Sequence, residues 1–348
     1  MLFEIRSMNI VFRVDSSTKM GVGHLMRCLA LADEFKRQNK KTTFICRNLT
    51  GNLINLVKQK GHKVVILSID IYFRSNNLYL DWLGATQEED AEQTINAISE
   101  NVDLLIVDNY ALDETWHKQL RPCVKKIMVI DDLADKNIDC DVLLNQNLRS
   151  KKEDYKNKIP NDCQLLLGCE YALLRPEFAE LRNQALEKRK NTKEIKNILV
   201  SMGGNDTKNL TYDILQNVGD GFNITVVFGA LSPHNKMIQN YAEKKNIKVI
   251  IDANNMAELM LDADLAIGAG GSTSWERCCL GLPTLLFITA ENQTQVAINL
   301  KKLGAVKIVH NLKEDLKEIV NNFELWQNMS NQAQKVCNGL GAKKVAIV

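Results

Sequence analysis

The chain has 348 residues, of which 45% are apolar, and a formal net charge of +2 at pH 7. That length favours two domains, and the apolar share is that of an ordinary globular chain. The near-neutral balance gives no pull toward nucleic acid or an anionic membrane surface.

No apolar run reaches the roughly 18–20 residues of a membrane span. Residues 1–7 hold a Glu and an Arg and lack the apolar core of a signal peptide. The expected setting is therefore cytoplasmic, and Met8 reads as an alternative start ahead of the first strand. Nine cysteines are scattered without CxxC or Cys/His zinc spacing, and Cys278 and Cys279 are adjacent. They read as small buried thiols, not as a metal site or a disulfide framework.

Residues 10–14 predict a strand and 25–37 a helix, with Leu25, Cys28, Leu29, Leu31, Ala32 and Phe35 at helical spacing. Between them lies Asp15-Ser16-Ser17-Thr18-Lys19-Met20-Gly21-Val22-Gly23-His24. Gly21 and Gly23 let the backbone approach whatever sits at the helix start. His24 falls in the first helical turn, where the dipole disfavours a protonated ring. A neutral imidazole there suits a proton acceptor.

Further strands are predicted at 42–46, 64–67, 103–107, 127–130 and 142–144, with helices at 53–57 and 91–100. These strands are apolar throughout, the mark of a parallel sheet covered on both faces. Ligands sit at the carboxyl ends of such strands. Asp15, Asp108-Asn109-Tyr110, Asp131-Asp132 and Asn145-Gln146-Asn147 stand at those ends and can converge.

A dinucleotide fingerprint would need a third glycine where Met26 stands, and an acid where Arg47 and Asn48 stand. No GxxxxGK[ST] run exists either, so no nicotinamide, flavin or other cofactor is expected. His62 lies in a helix-to-strand turn, His117 on a polar helix and His310 near a late strand end. All three read as surface residues. His234, at a strand end, is a candidate neighbour of a ligand.

Residues 149–161 are polar and lysine-rich, and 165–167 is a brief apolar run. Residues 180–193 are heavily charged with helical spacing and read as a solvated helix leading to a linker. The expected domains are 1–185 and 194–348.

The strand–helix pattern then restarts. Strands are predicted at 195–200, 224–228, 247–251, 265–267 and 283–288. Gly203-Gly204 follows the first of them, and Gly270-Gly271-Ser272 follows the fourth. Backbone N–H groups in such loops bind phosphate oxygens. Glu276, on the helix behind the second loop, is an acceptor-only carboxylate suited to both hydroxyls of a ribose. The expected fold is α/β, two Rossmann-like parallel-sheet domains facing a cleft, with the nucleotide on the second domain and the reacting sugar on the first.

Several stretches together resemble a known family. They are Asp15-Ser16-Ser17, Gly21-Val22-Gly23-His24 with Arg27, 44–47, Ile106-Val107-Asp108 with Tyr110, Asp131-Asp132, 141–145 and Ser201-Met202-Gly203-Gly204. The family is that of the nucleotide-sugar hydrolases of pseudaminic acid biosynthesis, which act on UDP-2,4-diacetamido-2,4,6-trideoxy-β-L-altropyranose, together with similar spore coat polysaccharide proteins. The resemblance spans about Met8 to Leu303 and implies the two-domain glycosyltransferase (GT-B) fold.

Carried over by position, it makes His24 the water-activating base, Tyr110 an active-site tyrosine and Asp15 an acid of the same loop. Gly21, Gly23, Arg27 and Asp108, with Asn292 and Gln293 on the nucleotide side, would contact substrate. Gly203, Gly204, Gly270, Gly271, Ser272 and Glu276 would hold UDP, with no metal. Asp15 or Asp108 would orient His24 or the water. A UDP-sugar glycosyltransferase, a hydrolysing 2-epimerase and a non-enzymatic nucleotide binder remain as alternatives.

Overall fold

The computed structural model describes residues 8–99, 101–204, 206–229 and 232–348, with Asn292 described in its backbone only. The heptapeptide before Met8 lies outside the described residues, as does Asn205. Two compact units divide the chain. One runs to Leu173 and also takes Ala342–Val348; the other is Leu174–Gly341.

The first unit runs β1 (Asn9–Val14), α1 (Gly23–Arg37), β2 (Lys41–Arg47), α2 (Ile54–Gln59), β3 (Lys63–Leu67), α3 (Leu78–Leu83), α4 (Gln87–Ala97), β4 (Leu104–Asp108), α5 (Glu114–Leu120), β5 (Ile127–Ile130), β6 (Val142–Asn145) and β7 (Gln164–Leu167). The strands form one parallel sheet ordered β3-β2-β1-β4-β5-β6-β7. The apolar runs are continuous because both faces are buried. Ile10, Phe12 and Val14 pack with Leu25, Leu29 and Phe35 on one face, while Val11, Leu105 and Val107 pack with Trp116 and Leu120 on the other. Phe12 and Phe44 stack with ring centroids 4.7 Å apart, each contributing about 1.5–3 kcal/mol by burial. α4 opens with a Thr86/Glu89 capping box, which satisfies two orphan backbone donors.

The second unit runs α6 (Pro176–Asn191), β8 (Asn197–Ser201), α7 (Leu210–Asn217), β9 (Asn223–Phe228), α8 (Asn235–Lys245), β10 (Lys248–Ile251), α9 (Met256–Asp262), β11 (Leu265–Ala269), α10 (Thr273–Cys279), β12 (Thr284–Phe287), α11 (Thr294–Lys302), β13 (Val306–Ile308), α12 (Leu312–Asn321) and α13 (Phe323–Val336). Its parallel sheet is ordered β10-β9-β8-β11-β12-β13. α14 (Gly341–Val345) begins at the division, and Ala342, Val345 and Ala346 enter the first unit's core.

Several details differ from the sequence reading. The run 165–167 is part of the edge strand β7, and the short helix α3 has no counterpart in the predicted elements. The units divide between Leu173 and Leu174, so α6 belongs wholly to the second unit. Its outer face is solvated, with Glu180, Glu187 and Lys190 exposed, but its arginines turn inward onto carbonyl oxygens. Arg189, which is buried, donates to Ala263 O (2.5 Å) and Met260 O (2.6 Å), and Arg182 donates to Cys279 O, Cys337 O and Gln334 O. A guanidinium has enough donors to collect several chain-end carbonyls at once.

His117 and His62 are also buried, not surface residues. His117 sits beside Trp116 under the sheet with neither ring nitrogen partnered. His62 lies between Thr42 Oγ1 (2.7 Å) and Asp33 Oδ1 (2.9 Å). His310 is exposed, and His234 is half-buried with Nε2 3.2 Å from Thr207 O.

Candidate active site

In the first sheet, β1 lies between β2 and β4, so the loops leaving β1 and β4 part in opposite directions. That switch point opens a crevice at the carboxyl ends. Val14, the last residue of β1, pairs with Asp108, the last of β4. The glycine loop and the Asp108–Tyr110 segment therefore meet there.

The loop is held by Ser17 and Gly21, which exchange backbone hydrogen bonds of 2.9 and 3.3 Å, and by Ser17 Oγ accepting from Met20 N at 3.1 Å. Gly21 has φ +81°, with nothing within 4 Å of an added Cβ, so its backbone shape and not its space calls for glycine. Gly23 is the first residue of α1, and Val22 provides no side-chain cap. His24 stands in the first turn, 7% exposed.

His24 Nδ1 lies 2.6 Å from Asp108 Oδ1. Arg27, one helical turn on, forks onto the same carboxylate through Nε to Oδ2 and Nη2 to Oδ1, both 2.6 Å. Arg27 Nη1 also donates to Asp132 Oδ2 at 3.0 Å. Asp132 Oδ1 accepts the Tyr110 hydroxyl at 2.6 Å, and the Tyr110 ring meets His24 edge-on at 4.6 Å. An ionised carboxylate only accepts, so the short Asp108 contact places a hydrogen on Nδ1; in the neutral tautomer this selects, Nε2 is the acceptor nitrogen. The 3.2 Å approach of Arg27 Nη2 to Nδ1 follows from both groups sharing Asp108 Oδ1.

Burial works against the Asp108 charge, but Arg27 and His24 outweigh it and hold the carboxyl well below the usual range. Burial and then the Asp132 charge push the Tyr110 hydroxyl up, so it stays protonated. Behind this segment Lys136 Nζ donates to Tyr110 O at 2.5 Å and Asn109 O at 3.4 Å.

Asp15 does not join this group through any described bond. It is fully buried. Its oxygens engage Arg13 Nη1 (2.7 Å), the Arg47 backbone N–H (2.6 Å) and Asn109 Nδ2 (3.2 Å). Arg13 in turn forks onto Asp90, which also takes Arg47 Nη2 and Trp116 Nε1. Asp15 is thus an anchor tying the loop to β2 and to Asn109. Asp132 is the residue the sequence reading left without a role; its position at the end of β5 was the available signal.

The second unit repeats the topology, with β8 and β11 at its switch point. The Gly203-Gly204 loop leaves β8, and Gly270-Gly271-Ser272 leaves β11, so the two loops start from adjacent strand ends, where Gly268 pairs with Ser201. Gly203 and Gly271 have φ +88° and +106°. A Cβ on Gly270 would lie 3.1 Å from Gln293, whose Oε1 accepts from Thr289 N and Oγ1 at 3.0 Å each.

Two glycines the sequence reading passed over are required by space. A Cβ at Gly229 would meet Gly204 O at 2.5 Å, and one at Gly268 would meet Arg277 Nη1 at 2.6 Å and Ser201 O at 2.7 Å. Glu276 faces Arg175 Nη2 at 3.5 Å. Burial pushes its carboxyl up, against the pull of Arg175 and Arg277. Asn292 and Gln293 belong to this unit and not to the His24 group. Of the residues proposed to touch substrate, Gly21, Gly23, Arg27 and Asp108 stand with His24 and Tyr110. Among the described residues no group of three or more His, Cys, Asp or Glu is placed to hold a metal ion, and no helix is long and apolar enough to cross a membrane.

Comparison with known proteins agrees with this anatomy. Residues 177–346 match the glycosyltransferase family 28 C-terminal domain. The chain is 30% identical over 301 residues to the UDP-2,4-diacetamido-2,4,6-trideoxy-beta-L-altropyranose hydrolase of Campylobacter jejuni subsp. jejuni serotype O:2, covering 85% of this chain and 97% of that protein. It is also 30% identical over 297 residues to the uncharacterized protein MJ1062 of Methanocaldococcus jannaschii, covering 83% of this chain but only 57% of that longer protein. Among solved structures, MurG of Acinetobacter baumannii superposes with a TM-score of 0.62 at 17% identity, covering 98% of each chain. The fold is thus that of the GT-B glycosyltransferases.

Proposed function

The chain belongs to the family of the UDP-2,4-diacetamido-2,4,6-trideoxy-β-L-altropyranose hydrolases, and from that premise we propose that it hydrolyses this nucleotide sugar to UDP and the free sugar. The observation that carries the reading is the 2.6 Å His24–Asp108 contact beside the glycine loop. It gives one imidazole an oriented acceptor nitrogen at the switch point.

In the proposed reaction His24 Nε2 takes a proton from water as the water oxygen bonds to the anomeric carbon. The bond from that carbon to the diphosphate oxygen breaks, and its electron pair leaves with UDP. Attack opposite the leaving group inverts the centre. Asp108 keeps Nδ1 as the donor and stabilises the imidazolium that forms, which then releases its proton to solvent. Backbone donors of the Gly203-Gly204 and Gly270–Ser272 loops meet the diphosphate, and Glu276 meets the ribose. The proposal includes metal independence and a cytoplasmic setting, where cysteines outside any disulfide persist reduced.

The glycosyltransferase family match over 177–346 favours a second reading, transfer of the sugar to an acceptor. One incubation separates the two: the UDP-sugar alone, no acceptor, with EDTA. Equimolar UDP and free diacetamido-sugar, with the first-formed anomer inverted by NMR, is the expected result. No turnover until an acceptor is added would overturn hydrolysis, and turnover abolished by EDTA would overturn metal independence.

A further inference from the structure

We propose that Arg27 and Asp132 are positioning residues that lock His24 and Tyr110 into one five-residue circuit. The inference rests on the reading of His24 as the base. Arg27 is 6% exposed, and all three of its guanidinium nitrogens are engaged: Nε and Nη2 by Asp108, Nη1 by Asp132. Its fork therefore faces the protein, and its contribution to the reaction passes through other groups.

The circuit can be followed atom by atom. His24 Nδ1 donates to Asp108, whose two oxygens hold the Arg27 fork. Arg27 Nη1 reaches Asp132 Oδ2, and Asp132 Oδ1 takes the Tyr110 hydroxyl hydrogen. The edge-on contact of the Tyr110 and His24 rings closes the loop. The members come from three chain segments: the first turns of α1, the end of β4 and the start of the loop after β5. Cys28 Sγ, 3.5 Å from Asp108 Oδ2, also faces the carboxylate.

Two physical arguments separate positioning from simple stabilisation. First, a buried ion network contributes little to stability compared with apolar packing of the same volume, so stability alone does not account for it. Second, a planar guanidinium grips the Asp108 carboxylate bidentately while reaching Asp132 from the same plane, whereas an ammonium can touch two carboxylates but imposes no such fixed plane. The Tyr110 hydroxyl hydrogen is committed to Asp132, so its oxygen lone pairs are what the phenol can offer a ligand.

The test compares R27K, D132N, Y110F and Y110F/D132N, each checked by circular dichroism and thermal melting. R27K preserves the charge, so a purely structural role would leave kcat intact; we expect kcat to fall at least about tenfold with KM within about twofold. D132N keeps the side-chain shape and should lose rate similarly, and it decides the matter if R27K does not fold. Because Asp132 acts on Tyr110, the double variant should lose no more than about the larger single loss. Multiplicative losses, or wild-type kcat in D132N, would overturn the proposal.

A readout independent of turnover is the downfield Nδ1–H proton resonance of His24. It should be present in the wild-type protein and displaced in both R27K and D132N. If wild-type protein hydrolyses nothing while this resonance moves as expected, the hydrolase reading fails and the circuit stands. An unmoved resonance in both variants removes the circuit whatever the reaction.

Discussion

The two units share one strand order through their first six strands, yet their switch points are furnished differently. In the first, side chains do the work: His24, Asp108, Arg27, Asp132 and Tyr110 form a buried charged network. In the second, the backbone occupies the same place, through Gly203, Gly204, Gly270 and Gly271, with Glu276 behind. One topology delivers a crevice, and the residues placed in it decide what chemistry it can carry. Substitutions should separate accordingly, side-chain changes in the first unit affecting rate and glycine changes in the second affecting shape and nucleotide affinity.

The largest expected effect breaks the first half of that contrast. H24A should lower kcat about 10²–10⁴-fold while UDP affinity, measured calorimetrically, stays within about twofold. A wild-type rate in H24A would remove the general base. Next come the glycines. G268A forces a methyl onto Arg277 and Ser201 O and should destabilise the protein by about 1–3 kcal/mol in urea denaturation. G21A meets nothing but its own positive φ, so its cost should be about 1–2 kcal/mol. E276Q removes a charged acceptor from the second unit and should weaken UDP binding about tenfold, with little change in the rate from bound substrate. Equal losses of kcat in E276Q and H24A would erase the distinction between the units.

The smallest effect is a pH difference. Burial, helped by Lys136, pushes the His117 ring down to about 3 from its ordinary 6.5, against the pull of Asp113 and Asp139. Between those values the unfolded chain binds a proton that the folded one does not. The contribution is therefore complete above pH 6.5 and is lost as pH falls toward 3. Neither histidine of the second unit is buried in this way, so acid should loosen the first unit. H117F should flatten the fall in denaturation midpoint between about pH 6.5 and 4; an unchanged slope would assign acid sensitivity elsewhere.

Much of this architecture is legible in the sequence, because strands buried on both faces are written as unbroken apolar runs. Residues 10–14 and 127–130 read directly as strands, and the strand ends identify the acids that can converge. Short or disguised elements are harder to see. Leu165–Leu167 is too brief to declare an edge strand, and α3 has only six residues. Long-range pairing is invisible to local patterning. Arg182 and Arg189 look like a solvated face but cap carbonyls of other helices and loops. Asp15, in the most suggestive loop of the chain, turns away toward Arg13 and Arg47, while Asp132, marked in the sequence only as one of several strand-end acids, takes the Tyr110 hydroxyl.

The seven residues 342–348 carry a consequence of a different kind. Ala342, Val345 and Ala346 complete a core begun at Ile10, and Ala346 O accepts from Lys40 Nζ at 2.9 Å. The first unit is thus discontinuous along the chain. On the ribosome, which releases residues in order, the unit holding His24 begins first but closes its core only after the whole second unit has emerged. Until residue 346 is out, the core cluster that holds Ile10 and Phe35 lacks its last members, and the unit that starts first along the chain is the last to be finished.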